Sequence, residues 1–359
     1  MKVCVFGAGA IGGYVAVELA RAGVDVSVVA RGPHLAAIRA QGLRLLIGAE
    51  SHVARIACTD NPAELGKQDY VIIALKAHAI SGAVDSMAPL LGPETSVVTA
   101  SNGIPYWYFC VGDPAFSGAH LESIDPGGRQ WQLLGPERAI GCVVFPAAEV
   151  VAPGVIRHEH GRKFPIGEPG GQKSPRVERL HEAMVAGGLD APIREDIRDE
   201  IWLKLCGNLC FNPISALTLA TVDIIASDPG TRAICRAMML EAKAIGDYLG
   251  LRLRVDIERR IDGAGALGPH KMSMLQDLER GRSMEVEPLV GVIQELGLYL
   301  GIPTPTTDVV LALIRQRAQY ATGALHRQQH LTCNRYAQLP GARADGKGER
   351  SHDQSCRSA

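Results

Sequence analysis

Short apolar runs and amphipathic segments alternate along the N-terminal part of the chain. Continuous apolar runs bounded by turn residues are typical of strands that are buried on both faces of a parallel sheet. A segment with helical periodicity, Ile11–Arg21, separates the first two runs. This alternation predicts an α/β domain with a doubly wound sheet, whose strands we expect at Val3–Phe6, Val24–Ala30, Tyr70–Ala74 and Ser96–Thr99.

Glycine and proline punctuate the next part of the chain, from about Ala139. The apolar runs are shorter there, and we expect them to add antiparallel strands that complete the same domain. The expected strands are Ile140–Phe145, Val155–Glu159 and Phe164–Ile166, with Asp190–Arg194 as a candidate for the last.

The pattern becomes helical after Glu195. Apolar residues recur there at helical spacing, which predicts an all-helical C-terminal domain. Pro213 is expected to disturb the first of these helices at Asn212, because the residue before a proline avoids the helical region. The predicted helices are Ile197–Leu219, Thr231–Leu249, Met274–Glu279, Glu285–Leu300 and Thr307–Ala321.

A chain of 359 residues is long for one hydrophobic core, so two domains are expected. The pattern places a sheet domain at 1–195, a helical domain at 196–330 and a polar tail at 331–359, which is expected to be disordered.

The net charge of −1 and the lack of a dense basic run argue against nucleic-acid binding. No apolar stretch approaches the roughly 20 residues of a membrane span, so we expect a cytoplasmic protein. The nine cysteines lack Cys-x-x-Cys spacing, which predicts reduced thiols and no metal site.

The motif Gly7-Ala8-Gly9-Ala10-Ile11-Gly12 directly follows the first predicted strand. Its glycines match the Gly-x-Gly-x-x-Gly fingerprint of Rossmann-type dinucleotide-binding domains. The first permits a tight turn, the second lets a pyrophosphate approach the backbone, and the third lets the helix pack close to the strand. The preceding strand and the following periodic helix favour this interpretation over an ordinary tight turn.

The end of the second strand indicates which dinucleotide is used. An acidic residue there usually binds the ribose of NAD, whereas a cation suits the 2′-phosphate of NADP. This strand ends at Arg31, with no acidic residue nearby after Asp25. The sequence therefore favours NADP(H), with an Arg that merely caps a surface loop as the alternative.

Polar residues recur at every fourth position of the predicted helix Ile197–Leu219. Lys204, Asn208 and Asn212 lie on one face, within roughly 80° of one another. Burial of these groups without partners is costly, so we expect them to line a polar cavity. A row of hydrogen bonds between helices, with Lys204 reaching solvent, is the alternative.

Ser273 and Glu285 form a second candidate group. Ser273 with Gln276 matches a capping box, which would by itself explain the serine. Gly281 and Ser283 are expected to break the helix, so that the chain can turn back and bring Glu285 towards Ser273. Glu285 as a first-turn acid that the helix dipole favours is the alternative.

Two further polar features follow predicted strands, at the ends where doubly wound sheets bind ligands. Lys76 follows Tyr70–Ala74, and Asn102-Gly103 follows Ser96–Thr99. A solvated loop cation and an ordinary turn are the alternatives.

Together these motifs resemble those of the 2-dehydropantoate 2-reductase (ketopantoate reductase) family. The resemblance runs from Met1 to about Ala321. It rests on the dinucleotide fingerprint followed, in order, by Leu75-Lys76, Asn102-Gly103, Ile201-Trp202-x-Lys204-Leu205-x-x-Asn208-x-x-x-Asn212-Pro213, and Ser273-Met274-Leu275-Gln276-Asp277 with Glu285.

The resemblance implies NADPH-dependent reduction of 2-dehydropantoate to pantoate. Lys204 would hydrogen-bond the 2-keto oxygen and supply the proton as hydride reaches C2, because a cation at the developing alkoxide stabilises the transition state. Glu285, also expected at the cofactor, would orient Lys204 or bind the substrate hydroxyl. The other implied roles are carboxylate binding by Ser273, hydroxyl binding by Asn208 and Asn212, contacts to the nicotinamide ribose and the reacting centre by Lys76 and Asn102, and 2′-phosphate binding by Arg31.

The chain departs from the usual family pattern at His270, where some members have Asn, and at Ser101, where Gln is frequent. Both positions lie on the substrate side, so another 2-oxo acid is an alternative substrate. A β-hydroxyacid-type dehydrogenase is an alternative enzyme, because Lys204 and Asn208 fit its Lys-x-x-x-Asn spacing. A non-catalytic NADPH-binding protein is the alternative outside enzymes, although Lys204 and Glu285 are both present. A homodimer is compatible with the helical domain.

Overall fold

A computed structural model describes residues 1–112, 116, 118–254 and 256–321. The predicted tail at 331–359 lies outside these residues. The described part contains two β-sheets, which occupy the N-terminal half, and a set of helices that dominates the remainder.

A seven-stranded sheet forms the centre of the N-terminal half. Its strands are β1 (Lys2–Phe6), β2 (Asp25–Val29), β5 (Ala57–Thr59), β6 (Tyr70–Ile73), β7 (Ser96–Thr99), β8 (Ala139–Cys142) and β11 (Ile166–Gly167). Their order is β11-β8-β7-β6-β1-β2-β5, and all neighbours are parallel except β11, which is antiparallel to β8. The four strands predicted from long apolar runs are all present, and this is a doubly wound α/β sheet.

β1 lies in the middle of this sheet, between β2 and β6. Val5 is in register with Val28 on one side and with Ile72 on the other. The strand order therefore reverses at β1, and the crevice at its carboxyl end is where doubly wound sheets bind ligands. Helix α1 (Ala10–Arg21) starts at this end.

A second, four-stranded sheet packs against α1. It contains β3 (Leu43–Ile47), β4 (Glu50–Ala54), β9 (Ala147–Ala152) and β10 (Val155–His160), in the order β4-β3-β10-β9. A Cβ at Gly13 of α1 would lie 2.6 Å from Cγ1 of Ile156. The glycine therefore permits the close approach of this sheet to the helix.

The predicted antiparallel extension of the main sheet is wrong for two of its strands. Ile140–Phe145 corresponds to β8, which joins the sheet parallel to β7, and Val155–Glu159 corresponds to β10 of the second sheet. Phe164–Ile166 corresponds to the antiparallel β11, and Asp190–Arg194 contributes two isolated bridges. An apolar run indicates a strand but does not specify its partner, because pairing depends on contacts distant in sequence.

The helices predicted after Glu195 are all present. The helices of the sheet half are α2 (Gly32–Gln41), α3 (Ala77–Ile80), α4 (Arg129–Leu134) and α5 (Pro175–Ala186). Those of the helical half are α6 (Ile197–Thr218), α7 (Val222–Ser227), α8 (Pro229–Tyr248), α9 (Ile257–Gly265), α10 (Ser273–Glu279), α11 (Val292–Leu300), which follows a π-helical turn at Glu287–Gly291, and α12 (Pro305–Ala321).

α6 is the central helix of this half and continues through Pro213. The expected disturbance at Asn212 is therefore wrong. A proline inside a helix removes one backbone donor, but Phe211, Ile214 and Ala216 around it are buried. Their packing outweighs the loss of one hydrogen bond.

α6 begins at Ile197, and the division into domains at 195/196 stays a prediction. None of the described helices is both long and apolar enough to cross a bilayer. The cysteines at described positions carry free thiols.

Candidate active site

The glycine-rich loop Gly7–Gly12 connects β1 to α1 at the central crevice. Gly7 has a φ of +104°, a conformation that residues with a side chain rarely adopt. A Cβ at Gly12 would clash with the carbonyl oxygen of Gly7, whereas nothing lies within 4 Å of a Cβ position at Gly9. The glycines thus provide a turn, a close helix–strand contact and an open stretch of backbone that a pyrophosphate can approach.

Arg31 lies exposed between β2 and α2, and His34 ties α2 to the glycine-rich loop. His34 Nδ1 accepts a hydrogen bond from the N–H of Gly154 at 2.9 Å. Nε2 therefore carries the hydrogen and donates it to the carbonyl oxygen of Ala8 at 2.6 Å. Sequence reasoning missed His34, because no spacing or motif marks a contact between these distant segments.

Lys204 is half-buried on α6, and its amino group reaches the edge of the main sheet. Nζ donates to Oδ1 of Asn102 at 2.9 Å and to the carbonyl oxygen of Val144. It also lies 5.6 Å from the centroid of the Phe145 ring. Asn102 follows β7 and Val144 follows β8, so two neighbouring strand ends hold the ammonium. Its third donor is available to a ligand.

Burial lowers the pKa of Lys204 to about 8. Removal from water is the main cause, and the positive charge of Arg260 adds to it. Burial also raises the pKa of Cys142 to about 12, so that neighbouring thiol is neutral. Glu285 is then the nearby negative charge that sustains the protonated form of Lys204.

Glu285 is buried between the loops that carry Lys76 and Asn102. Its Oε1 accepts from the N–H of Ala77 at 2.8 Å. Its Oε2 accepts from Nδ2 of Asn102 at 3.5 Å and lies 3.6 Å from Nζ of Lys76. Lys76 also donates to Oδ2 of Asp277 at 2.5 Å. Two buried carboxylates therefore hold one lysine, and neither alternative, a first-turn acid or a freely solvated cation, describes these contacts.

A continuous chain of contacts runs through this site and joins α6 to α10. Asp277 is a member that sequence reasoning did not single out, although it lies one helical turn after Ser273 on α10. Gly103 has a φ of +89°, and a Cβ there would lie 2.8 Å from the carbonyl oxygen of Pro288. The glycine thus lets the Asn102 loop approach the segment after Glu285. The members in order are Lys204, Asn102, Glu285, Lys76 and Asp277.

Asn212 connects α6 to the start of α10. Its Oδ1 accepts from Oγ of Ser273 and from the N–H of Met274, both at 3.0 Å. Ser273 is the first residue of α10 and not its N-cap, and the Gln276 amide donates to the carbonyl oxygen of Lys271. The capping-box alternative is therefore wrong, because the N-cap is Met272 and the Ser273 oxygen accepts no backbone N–H of the first turn.

Asn208 lies one turn after Lys204 on α6 and is half-buried. Within the described part of the chain, its side-chain amide has no hydrogen-bond partner. The Asn212 Nδ2 is likewise without a partner there, but Asn212 is only 1% exposed. Of the two amides, the one of Asn208 is therefore accessible to a ligand.

His270 precedes α10 and faces the second sheet. Its ring centroid lies 5.5 Å from that of His160, at the end of β10. Burial and the neighbouring His160 lower the pKa of His270, which favours its neutral form. His270 therefore stands where the helical half meets the β9–β10 hairpin.

The Lys204 ammonium and the glycine-rich loop lie at the same end of the main sheet. Gly7 lies against Leu75, since a Cβ there would come within 2.7 Å of its Cδ2, and Lys76 follows immediately. The loop and the chain of polar contacts therefore border the same crevice. A carbonyl group held there would meet the Lys204 ammonium, which suits reduction to an alcohol.

Comparisons with known proteins cover both halves of the chain. A family model for "Ketopantoate reductase PanE/ApbA" matches residues 3–171, and one for "Ketopantoate reductase PanE/ApbA C terminal" matches residues 196–318. A 2-dehydropantoate 2-reductase from Mesorhizobium japonicum is 58% identical over 320 residues, which cover 89% of this chain and 98% of that protein. Another from Caulobacter vibrioides is 30% identical over 88% of this chain and 99% of its own length. A solved structure from Ralstonia solanacearum matches with a TM-score of 0.85 and 42% identity, over 89% of this chain and 98% of its own.

Proposed function

Since the chain belongs to the ketopantoate reductase family, we propose that it reduces 2-dehydropantoate (ketopantoate) to pantoate with NADPH. Membership of this family makes it an oxidoreductase that depends on a nicotinamide dinucleotide. The observation that carries the proposal is the position of the Lys204 ammonium. It lies at the carboxyl edge of the sheet whose central strand β1 leads into the glycine-rich loop, and its pKa is about 8.

Lys204 is the proton donor in this proposal. Its third N–H hydrogen-bonds the 2-keto oxygen, while Asn102 and the Val144 carbonyl hold the amino group in place. As the carbonyl oxygen gains negative charge, the ammonium stabilises it and then transfers a proton to it. Glu285 contributes by keeping Lys204 protonated in the ground state.

NADP(H) is the cofactor in this proposal, and when bound it supplies the hydride for C2. The loop Gly7–Gly12, whose backbone is open at Gly9, and the start of α1 suit its pyrophosphate. Arg31 is exposed, and its fork of donors suits the 2′-phosphate. Lys76 keeps a donor that its two carboxylate partners do not use, which suits a hydroxyl of the nicotinamide ribose.

Asn208, Asn212 and Ser273 are the predicted substrate residues on the helical half. Asn208 is accessible and suits the hydroxyl of the substrate. Asn212 and Ser273 hydrogen-bond each other, so in this proposal they form part of the pocket wall. They contact the substrate only where one of its groups replaces that hydrogen bond or is added to it.

A homodimer and a cytoplasmic location stay predictions. Candidate apolar side chains for a dimer contact lie along α12, where each is at least half exposed. They are Val309, Leu313 and Tyr320.

Consumption of NADPH by the purified protein, measured with ketopantoate and a panel of other 2-oxo acids, tests the proposal. We expect the largest kcat/KM with ketopantoate, and a much smaller one when NADH replaces NADPH. Preference for another 2-oxo acid would keep the mechanism but change the substrate. No turnover of any 2-oxo acid, with NADPH still bound, would favour a non-catalytic binding protein.

A further inference from the structure

Arg260 on α9 places a positive charge inside the helical half without a partner. Its Nε is buried and makes no hydrogen bond. Among the described residues, no carboxylate forms an ion pair with its guanidinium, and no side chain or carbonyl accepts a hydrogen bond from it. The pKa of Arg260 is lowered, chiefly by burial. Arginine nevertheless stays charged in proteins, so this charge is held at a cost.

The nearest ionisable neighbours do not compensate that charge. Burial raises the pKa of Cys206 to about 12 and that of Cys210 well above its usual range, so both thiols are neutral. By contrast, Arg176 is also partly buried but donates to both carboxylate oxygens of Glu168, at 2.7 and 2.6 Å. Buried charges are normally paired in this way. No such partner for Arg260 lies among the described residues, so its guanidinium is open to an anionic ligand.

The guanidinium lies against the half-buried face of α6. A Cβ at Gly207 would lie 2.9 Å from Nη2 of Arg260, so the glycine leaves the room that the guanidinium occupies. In this stretch of α6 the half-buried positions are Leu203, Lys204, Gly207 and Asn208, flanked by buried ones. Arg260 therefore borders the same face as Lys204 and Asn208, and Gly207 is one turn from Lys204. The positive charge of Arg260 also lowers the pKa of Lys204.

The other candidate groups for an anion are already engaged. Ser273 donates its hydroxyl hydrogen to Asn212, so it would have to give up that bond to donate to a carboxylate oxygen. Lys76 is held by Asp277 and Glu285. Arg260 retains all of its side-chain donors, and a planar fork of donors matches a carboxylate in bidentate geometry.

We propose that Arg260 binds the carboxylate of the substrate, an inference that rests on the proposed reduction of a 2-oxo acid. That carboxylate is bonded directly to the carbon whose oxygen Lys204 protonates. Simultaneous binding of the two groups would therefore orient the carbonyl against the proton donor and would supply the partner that the buried guanidinium lacks. Arg260 is in this account a determinant of specificity for acids over neutral carbonyl compounds.

The test compares a 2-oxo acid with its uncharged primary amide in the wild type, Arg260→Gln and Arg259→Gln. The control Arg259→Gln removes the same charge from the same helix, but at an exposed position. For Arg260→Gln we expect kcat/KM with ketopantoate to fall by roughly a hundredfold, with little change for the amide. Arg259→Gln should leave both substrates almost unaffected. The melting temperature of Arg260→Gln should equal or exceed that of the wild type, because the substitution removes an unpaired buried charge.

Two results would overturn the assignment. One is an equal loss for the acid and the amide in Arg260→Gln, and the other is the same acid-selective loss in Arg259→Gln. If the wild type reduces neither compound, the proposed function fails, and calorimetric titration then tests Arg260 alone. Tighter binding of the acid than of the amide, abolished by Arg260→Gln, would support the carboxylate site, whereas equal binding of both would exclude it.

Discussion

The role of proton donor that we propose for Lys204 suits its surroundings, which lower its pKa towards neutrality. A lysine in water holds its proton too firmly to respond near pH 7, whereas removal from water lowers the pKa to about 8. Asn102 and Val144 fix the amino group without neutralising it, and the buried Glu285 limits the decrease in pKa. The residue type was readable from the helical spacing in the sequence. Its pKa was not, because burial and charge depend on segments far away in the chain.

The pH dependence of reduction should follow the protonation of Lys204. Only the ammonium can donate, so kcat/KM for reduction should fall as the pH rises through about 8. Oxidation of pantoate needs the neutral amine and should increase through the same pH. Glu285→Gln removes a nearby negative charge, and this should move the alkaline limb to lower pH by about half a unit or more.

Glu287→Gln is the matched control for this shift, because Glu287 is half-exposed and pairs with Arg315. Its pH profile should coincide with that of the wild type. An alkaline limb that stays in place in Glu285→Gln would contradict the role given to that carboxylate.

At the scale of single elements, α6 and α10 show what a sequence pattern can and cannot specify. The four-residue spacing on α6 correctly predicted a helix with polar groups on one face, because helical geometry is local. The capping box at Ser273 was wrong, because α10 begins at Ser273 with Met272 as its N-cap, and the Ser273 hydroxyl bonds instead to Asn212, which is distant in sequence. Pro213 was expected to disturb α6, but the packing of buried neighbours maintains the helix. Local rules thus fail here where a tertiary contact competes with them.

Asn208 and Asn212, one turn apart on α6, should respond differently to substitution by Ala. Asn212→Ala leaves the Ser273 hydroxyl and the Met274 N–H without their acceptor, and should lower the free energy of unfolding by about 1–3 kcal/mol. Asn208→Ala should change it by less than about 0.5 kcal/mol, but should raise KM for the 2-oxo acid and not for NADPH. Urea unfolding and steady-state kinetics of both variants provide the comparison. Equal stability of the two variants would contradict the anchoring role of Asn212.

For the whole molecule, the sheet and the helices meet at the residues of the proposed active site. Contacts from Lys204 to Asn102 and from Lys76 to Asp277 cross between the two halves, so the site is complete only when they are together. The doubly wound sheet and the later helices were predictable, because long apolar runs, the glycine fingerprint and helical periodicity are strong local signals. The second sheet was not. Its strand Glu50–Ala54 carries mixed polar and apolar residues, and the neighbouring strand Leu43–Ile47 pairs with a hairpin about a hundred residues later.

The most direct test of the account follows the transferred hydrogen. Wild-type protein is mixed with ketopantoate and NADPH that carries deuterium at both C4 positions, and the product is analysed by mass spectrometry and NMR. The account predicts pantoate with one deuterium at C2 for each NADPH consumed, and a large loss of this product with Lys204→Ala although NADPH still binds. Pantoate with hydrogen from solvent at C2, or undiminished turnover by Lys204→Ala, would contradict it.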